Sequence, residues 1–192
     1  MKHCNRAHVW GVLQKCEEKT TDDSGAPYLE IRIDCQHNEH GSVQVLGFVW
    51  GKVNVEAFRE MYKTGDALRV SGGVQQYASR KTNAVKTSFN LYSFKDGPLK
   101  ERKATFILVG EVVSLVGETL KILVSIPASK KYAAKKDEFV VSVPNSILLM
   151  ADKTPEKGQT VSVKGYIVQK EDEYGETVGS QRPVVKELFI KE

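Results

Sequence analysis

The sequence predicts an all-β protein of two similar units, each a five-stranded Greek-key barrel with a short helix between its third and fourth strands. Two observations carry that prediction. The first is an internal repeat: Lys63-Thr-Gly65-Asp-Ala-Leu68-Arg-Val70-Ser-Gly72 aligns without gaps on Glu156-Lys-Gly158-Gln-Thr-Val161-Ser-Val163-Lys-Gly165, 93 residues later. Self-similarity at that distance makes half of the 192-residue chain the folding unit. The second is the order of segments, strand, strand, strand, helix, strand, strand, which appears in both halves.

In the first half, Asn5–Gln14 is rich in β-formers around Gly11, a glycine that suits a strongly bent strand. Residues Glu17–Ala26 are polar and lead into Pro27, which reads as a hairpin loop. Tyr28–Cys35 alternates, with Leu29, Ile31 and Ile33 opposite Tyr28, Glu30, Arg32 and Asp34. A turn at His37–Gly41 precedes Val43–Trp50, where Val43, Val45 and Val49 share one face and Gln44, Leu46, Phe48 and Trp50 the other. Asn54 is the expected N-cap of a helix that carries Val55, Phe58 and Met61-Tyr62 and ends at Gly65. Ala67–Tyr77 and Val85–Phe94 complete the set, joined by the basic turn Ser79–Asn83.

Asp96-Gly-Pro98 breaks the pattern and Leu99–Lys103 reads as a linker, which places the units at residues 1–98 and 99–192. The second half offers strands at Thr105–Val116, Leu120–Pro127, Glu138–Val143, Thr160–Gln169 and Val184–Ile190. A basic loop at Ser129–Asp137, a helical turn at Ser146–Ala151 and an acidic loop at Glu171–Ser180 fall between them. Five strands with a helix at that point describe the OB-fold. A sandwich would need about seven strands per domain.

Composition limits the function. The formal net charge is +4, with 13 Lys and Arg against 11 Asp and Glu in residues 1–98 and 15 against 13 in residues 99–192. That bias permits nucleic acid as a partner and fits an ordinary solvated surface equally well. No apolar run reaches the ~20 residues a membrane span needs. The first residues lack the apolar stretch of a secretion signal, so a cytoplasmic protein is expected. The odd number of cysteines, Cys4, Cys16 and Cys35, argues against a disulfide framework.

The stretch from Val43 to Gln76 then resembles the bacterial and phage single-stranded DNA-binding protein family. Asn5-Arg-Ala-His-Val9-Trp-Gly11 is similar to that family's opening strand, and Trp50-Gly51-Lys52 with Glu56 to its third strand and helix entry. Lys63-Thr-Gly65 and Leu68-Arg-Val70-Ser-Gly72 are similar to its following turn and strand. The resemblance covers most of residues 3–94 and, in the second half, only the Gly110 strand and the Gly158–Gly165 segment. It implies sequence-tolerant binding of single-stranded DNA in replication, recombination or repair, without a cofactor. It is similar to family members with two barrels per chain, which implies a homodimer; replication or recombination proteins are further implied partners. The family's acidic, apolar tail tip is not matched, since Glu187-Leu-Phe-Ile-Lys-Glu192 reads as a closing strand.

Such binding needs aromatic rings for bases and cations for phosphates. Trp50 and Phe48 are the first candidates, with Trp50 in the family's stacking position; the other reading makes one of them a barrel plug or interface residue. Trp10, beside Gly11, is either core or groove. Tyr28 and Arg32 lie on the polar face of the second strand, and Lys52 follows Trp50. Tyr77, Arg80, Lys81 and Lys86 belong to a hairpin that is either a groove wall or a solvated turn. Lys130, Lys131, Tyr132, Lys135 and Lys136 form the densest basic cluster, read either as a phosphate grip or as a solvated loop. Ten of the 16 aromatics precede residue 99, which favours the first unit for stacking and leaves the second for oligomerisation or auxiliary DNA contact.

Cys35-x-His37-x-x-His40 lacks the paired knuckles of structural zinc, so no metal is expected. No catalytic motif stands out, and a non-enzymatic protein is expected. An OB-fold protein-interaction module, or a binder of single-stranded RNA, is the alternative.

Overall fold

The computed structural model describes residues 2–37, 41–78, 85–95, 102–128, 133–151, 153–169 and 181–191. The chain is mostly β and divides into two compact units, one built mainly from Ala7–Ala104, the other from Met1–Arg6, Thr105–Ile167 and Arg182–Glu192.

The first unit contains β1 (Cys4–Thr20), β2 (Pro27–His37), β3 (Gly41–Trp50), α1 (Lys52–Met61), β4 (Ala67–Ala78) and β5 (Val85–Lys95). The strands pair in the order β1-β2-β3-β5-β4, and β4 returns to β1, so the barrel is closed and leaves no edge. Every pairing is antiparallel except β3 with β5. Alternation places Val9, Leu13, Leu29, Ile31, Ile33, Val43, Val45, Val49, Leu68, Val70, Phe89 and Leu91 in the interior. Helix α1 adds Val55 and Phe58 to that core. Cys35 is buried with them, and burial pushes its thiol far above the usual range.

Three local expectations are corrected. The segment expected as a hairpin loop from Glu17 is still strand to Thr20, because a bulge between Leu13 and Lys15 lets β1 bend and go on pairing with β2. Helix α1 starts earlier than Asn54: Gly51, at φ 86°, is its N-cap, and the Asn54 amide donates back to the Trp50 carbonyl at 2.9 Å. The helix also ends earlier, at Met61 with an extended Tyr62 after it; Gly65 serves the turn beyond.

The second unit contains β6 (Lys103–Val116), β7 (Thr119–Ile126), β8 (Lys135–Ser142), α2 (Asn145–Met150), β9 (Thr160–Gln169) and β10 (Gln181–Ile190). They follow the same cyclic order, β6-β7-β8-β10-β9, with β9 returning to β6 and a parallel contact between β8 and β10. The strand expected from Glu138 begins at Lys135, so Lys135 and Lys136 are strand residues. Helix α2 buries none of its side chains, unlike α1.

The repeat extends to individual backbone contacts. Gly65 N–H donates to Leu13 O at 2.8 Å and Leu13 N–H to Asp66 O at 2.9 Å; Gly158 and Gln159 make the same two bonds with Val112, at 2.9 and 2.8 Å. Both glycines have positive φ, 97° and 89°. A Cβ on Gly72 would lie 1.8 Å from Asn90 O, and one on Gly165 would lie 1.9 Å from Val184 O.

Candidate nucleic-acid interface

Because β3 alternates, the side chains that do not fill the barrel point out of it together. Tyr28 on β2 is the cross-strand partner of Trp50 on β3, and Glu30 is the partner of Phe48. The pairing brings three aromatic rings together on the outer face. Tyr28 and Trp50 stack with centroids 4.6 Å apart, while Phe48 lies 5.8 Å from Trp50 and 6.1 Å from Tyr28. Trp50 remains 40% exposed, a large apolar area to leave in water beside a filled core. Its indole N–H is held by Asn90 Oδ1 at 2.9 Å.

Charged groups border this cluster. Lys19 Nζ donates to Glu30 Oε2 at 2.6 Å, which raises the lysine's pKa. Lys15 pairs with Glu17 at 2.5 Å and holds that carboxyl below its usual range. Arg32 projects from the same face of β2, with its Nε buried and without a hydrogen-bond partner. Tyr77, on β4, is 39% exposed opposite Lys86 on β5. Burial first, and the Glu30 carboxylate second, raise the Tyr77 hydroxyl's pKa. Two more polar atoms are buried without a partner, Gln75 Oε1 and Ser88 Oγ, on residues paired across β4 and β5.

The other candidates are placed differently. Lys52 opens α1, 79% exposed, with Glu56 at 3.9 Å. Trp10 has two cations over its ring, Arg69 at 4.6 Å and Lys103 at 4.5 Å, and a buried indole N–H without a partner. Its ring contacts are thus with the cations Arg69 and Lys103, both within the Ala7–Ala104 unit, and not with the aromatic cluster. Lys135 and Lys136 are exposed on β8, with Lys135 paired to Asp137 at 2.8 Å. Arg80, Lys81, Lys130, Lys131 and Tyr132 lie outside the described residues, as does His40. Among the described residues no group of three His, Cys, Asp or Glu is arranged to hold a metal, and no helix is long and apolar enough to cross a membrane.

The ladders locate the corresponding face of the second unit. Gly51 N–H bonds to Pro27 O just beyond the Tyr28–Trp50 pair, and Val143 N–H bonds to Glu118 O just beyond the Thr119–Ser142 pair. Thr119 and Ser142 therefore stand where the first unit has Tyr28 and Trp50, and Lys121 and Val140 follow in the places of Glu30 and Phe48. Continuing the 93-residue offset of the repeat would instead set Trp50 against Val143, and the register shifts this by one residue.

Sequence reasoning missed Asn90 and the Lys19–Glu30 pair. The outward positions Ser88 and Asn90 were legible as a polar stripe on β5. Their proximity to Trp50 was not, since it depends on the parallel pairing of Phe48 with Asn90.

No protein-family model matches the sequence, and no curated protein does. Among solved structures the fold is similar to the wild-type single-stranded DNA binding protein from Thermus aquaticus, with a TM-score of 0.66 and 14% identity, covering 100% of this chain and 95% of that one. A deletion mutant of the same Thermus protein matches with a TM-score of 0.65 and 12% identity, covering 100% and 96%. This chain and the Thermus protein share a fold.

Proposed function

We propose that the protein binds single-stranded DNA with broad sequence tolerance, through a tandem pair of OB-folds divided near residue 98. The observation that carries this reading is the Tyr28–Phe48–Trp50 cluster, three packed rings on the outer face of a closed barrel, with Tyr28 and Phe48 partly buried and Trp50 exposed. Any base has a face that can stack on such rings, which is why the surface tolerates sequence. Arg32, on the outward face of β2, and Lys86, opposite Tyr77 on β5, would meet the phosphates, so affinity falls as salt rises.

The likeness to the Thermus single-stranded DNA binding protein over the full chain supports the same reading. The second unit carries Thr119, Lys121 and Ser142 in place of the aromatic row, which suits phosphate contact or self-association better than stacking. A homodimer would bring four barrels to one strand. Coating of exposed strands during replication, recombination or repair is the corresponding role.

Titration of tryptophan fluorescence with oligo-dT tests the proposal. Salt-sensitive quenching at micromolar protein is expected, because Trp50 lies in the interface. An unchanged spectrum, together with no shift of labelled oligonucleotide, would refute it.

A further inference from the structure

The face that carries Trp50 continues along β5. Asn90, which holds the Trp50 indole, pairs with Gly73 on that strand's other side. Tyr92 follows Leu91 on β5 as Trp50 follows Val49 on β3, one step past the last parallel pair. The ladder with β4 passes from Leu91 to Ser93 and skips Tyr92, and at this bulge the Tyr92 ring is 60% exposed.

The bulge also resets the alternation. Phe94 turns inward against Phe58, with ring centroids 5.3 Å apart, so Lys95 faces outward and is exposed. Lys95 pairs with Arg69 on β4, and Arg69 with Trp10 on β1. The Arg69 guanidinium lies 4.6 Å and the Lys103 ammonium 4.5 Å from the centre of the Trp10 ring. With Lys103, which belongs to the same compact unit, this cross-strand row gathers three cations.

These cations differ from those beside the aromatic cluster. Lys15 and Lys19 are paired with Glu17 and Glu30. Among the described residues neither Arg69 nor Lys95 is in an ion pair, and both are exposed. An indole steadies a guanidinium while leaving its N–H groups to a bidentate oxyanion such as a phosphodiester. Trp10 is thus a support for cations and not a platform for bases.

We propose that a bound strand runs from the aromatic cluster along β5, where Tyr92 stacks one further base and Lys95, Arg69 and Lys103 grip the phosphates that follow. The inference rests on the single-strand-binding reading above and adds the path of the strand to it. Lys95 lies five residues beyond Asn90. That is about 17 Å of β-strand, which about five nucleotides cover at a stacked rise of ~3.4 Å.

The test is fluorescence anisotropy with a labelled oligo-dT of about fifteen nucleotides, within the span of one OB-fold, over a series of salt concentrations. In the double variant Arg69→Gln, Lys95→Gln the slope of log affinity against log salt should shrink by about 1.4, at ~0.7 for each phosphate contact on a single strand. The charge-keeping pair Arg69→Lys, Lys95→Arg should retain the wild-type slope. Tyr92→Ala should bind about fivefold more weakly, the lower end for one stacked base, with the slope unchanged. An unchanged slope in the neutral variant would overturn the inference and leave single-strand binding intact; if that variant also loses a dimer in sedimentation, the row joins copies of the chain instead. An equal loss of slope in the charge-keeping pair would overturn it too, since shape and not charge would then be at work. Failure of the wild-type protein to bind the oligomer would overturn the single-strand reading, and this inference with it.

Discussion

The indole N–H of Trp50 donates to Asn90 Oδ1 across the parallel pair of β3 and β5, at 2.9 Å. That bond, together with the Tyr28 ring at 4.6 Å, holds an exposed tryptophan in one orientation before any ligand arrives. Preorganisation of this kind lowers the ordering cost that binding must otherwise meet.

Trp50→Ala should therefore weaken oligonucleotide binding by ~1–3 kcal/mol and leave the melting temperature nearly unchanged, since the ring fills no core space. Asn90→Ala keeps the ring but frees it, and a loss of about 1 kcal/mol is expected with altered tryptophan emission. Isothermal titration beside thermal melts separates the two outcomes. Loss of folding in Trp50→Ala would mean that the residue supports the barrel instead.

Gly72 and Gly165 should be equally intolerant of a methyl group. In each case the added carbon would meet a backbone carbonyl of the neighbouring strand, Asn90 or Val184, closer than 2 Å. Backbone cannot rotate away as a flexible side chain can, so the strands must separate. Gly72→Ala and Gly165→Ala are each expected to cost at least the ~1–3 kcal/mol typical of overpacking. Chemical denaturation of both variants checks this. Gly72→Ala should also lower DNA affinity, because it displaces the residue that holds Trp50.

The thiols should divide by burial. Cys35 is fully buried and its thiol is pushed far above the normal range, so it carries almost no thiolate at neutral pH. Cys4 and Cys16 are half-buried, and burial raises the Cys16 thiol despite the nearby Arg59. Alkylation of the folded protein followed by mass spectrometry should show at most two additions. The third should appear only with denaturant.

Much of this architecture was legible in the sequence, for identifiable reasons. Alternation on β2 and β3 separates Val43, Val45 and Val49 from Phe48 and Trp50 without any tertiary knowledge, because side chains switch faces at each residue. The glycines recur because a closed barrel requires close strand approach at fixed points, and only glycine fits there. What escaped depends on pairing. The acidic run Glu17-Glu18 looks like loop, yet a bulge keeps it in β1, where Glu17 pairs with Glu30 of β2. Trp10 reads from sequence as either core or groove, and the structure adds that its strand partner is Arg69 and that this cation stands over its ring. Neither neighbour can be read from local sequence.

Tyr77 provides a test of the same face by pH. Its hydroxyl is raised above the ordinary tyrosine range, first by burial and then by the Glu30 carboxylate. Both effects disfavour phenolate in the folded state. The folded protein therefore holds this proton more tightly than the unfolded chain does. The associated stability is complete below the normal tyrosine pKa, near 10, and is lost as pH rises through the higher folded value. Ultraviolet titration of wild type against Tyr77→Phe should show that the variant lacks one late-ionising phenol. In Glu30→Gln that phenol should ionise earlier, since one of the two causes is removed. An unchanged tyrosine titration in Glu30→Gln would mean that Tyr77 and Glu30 do not share this surface.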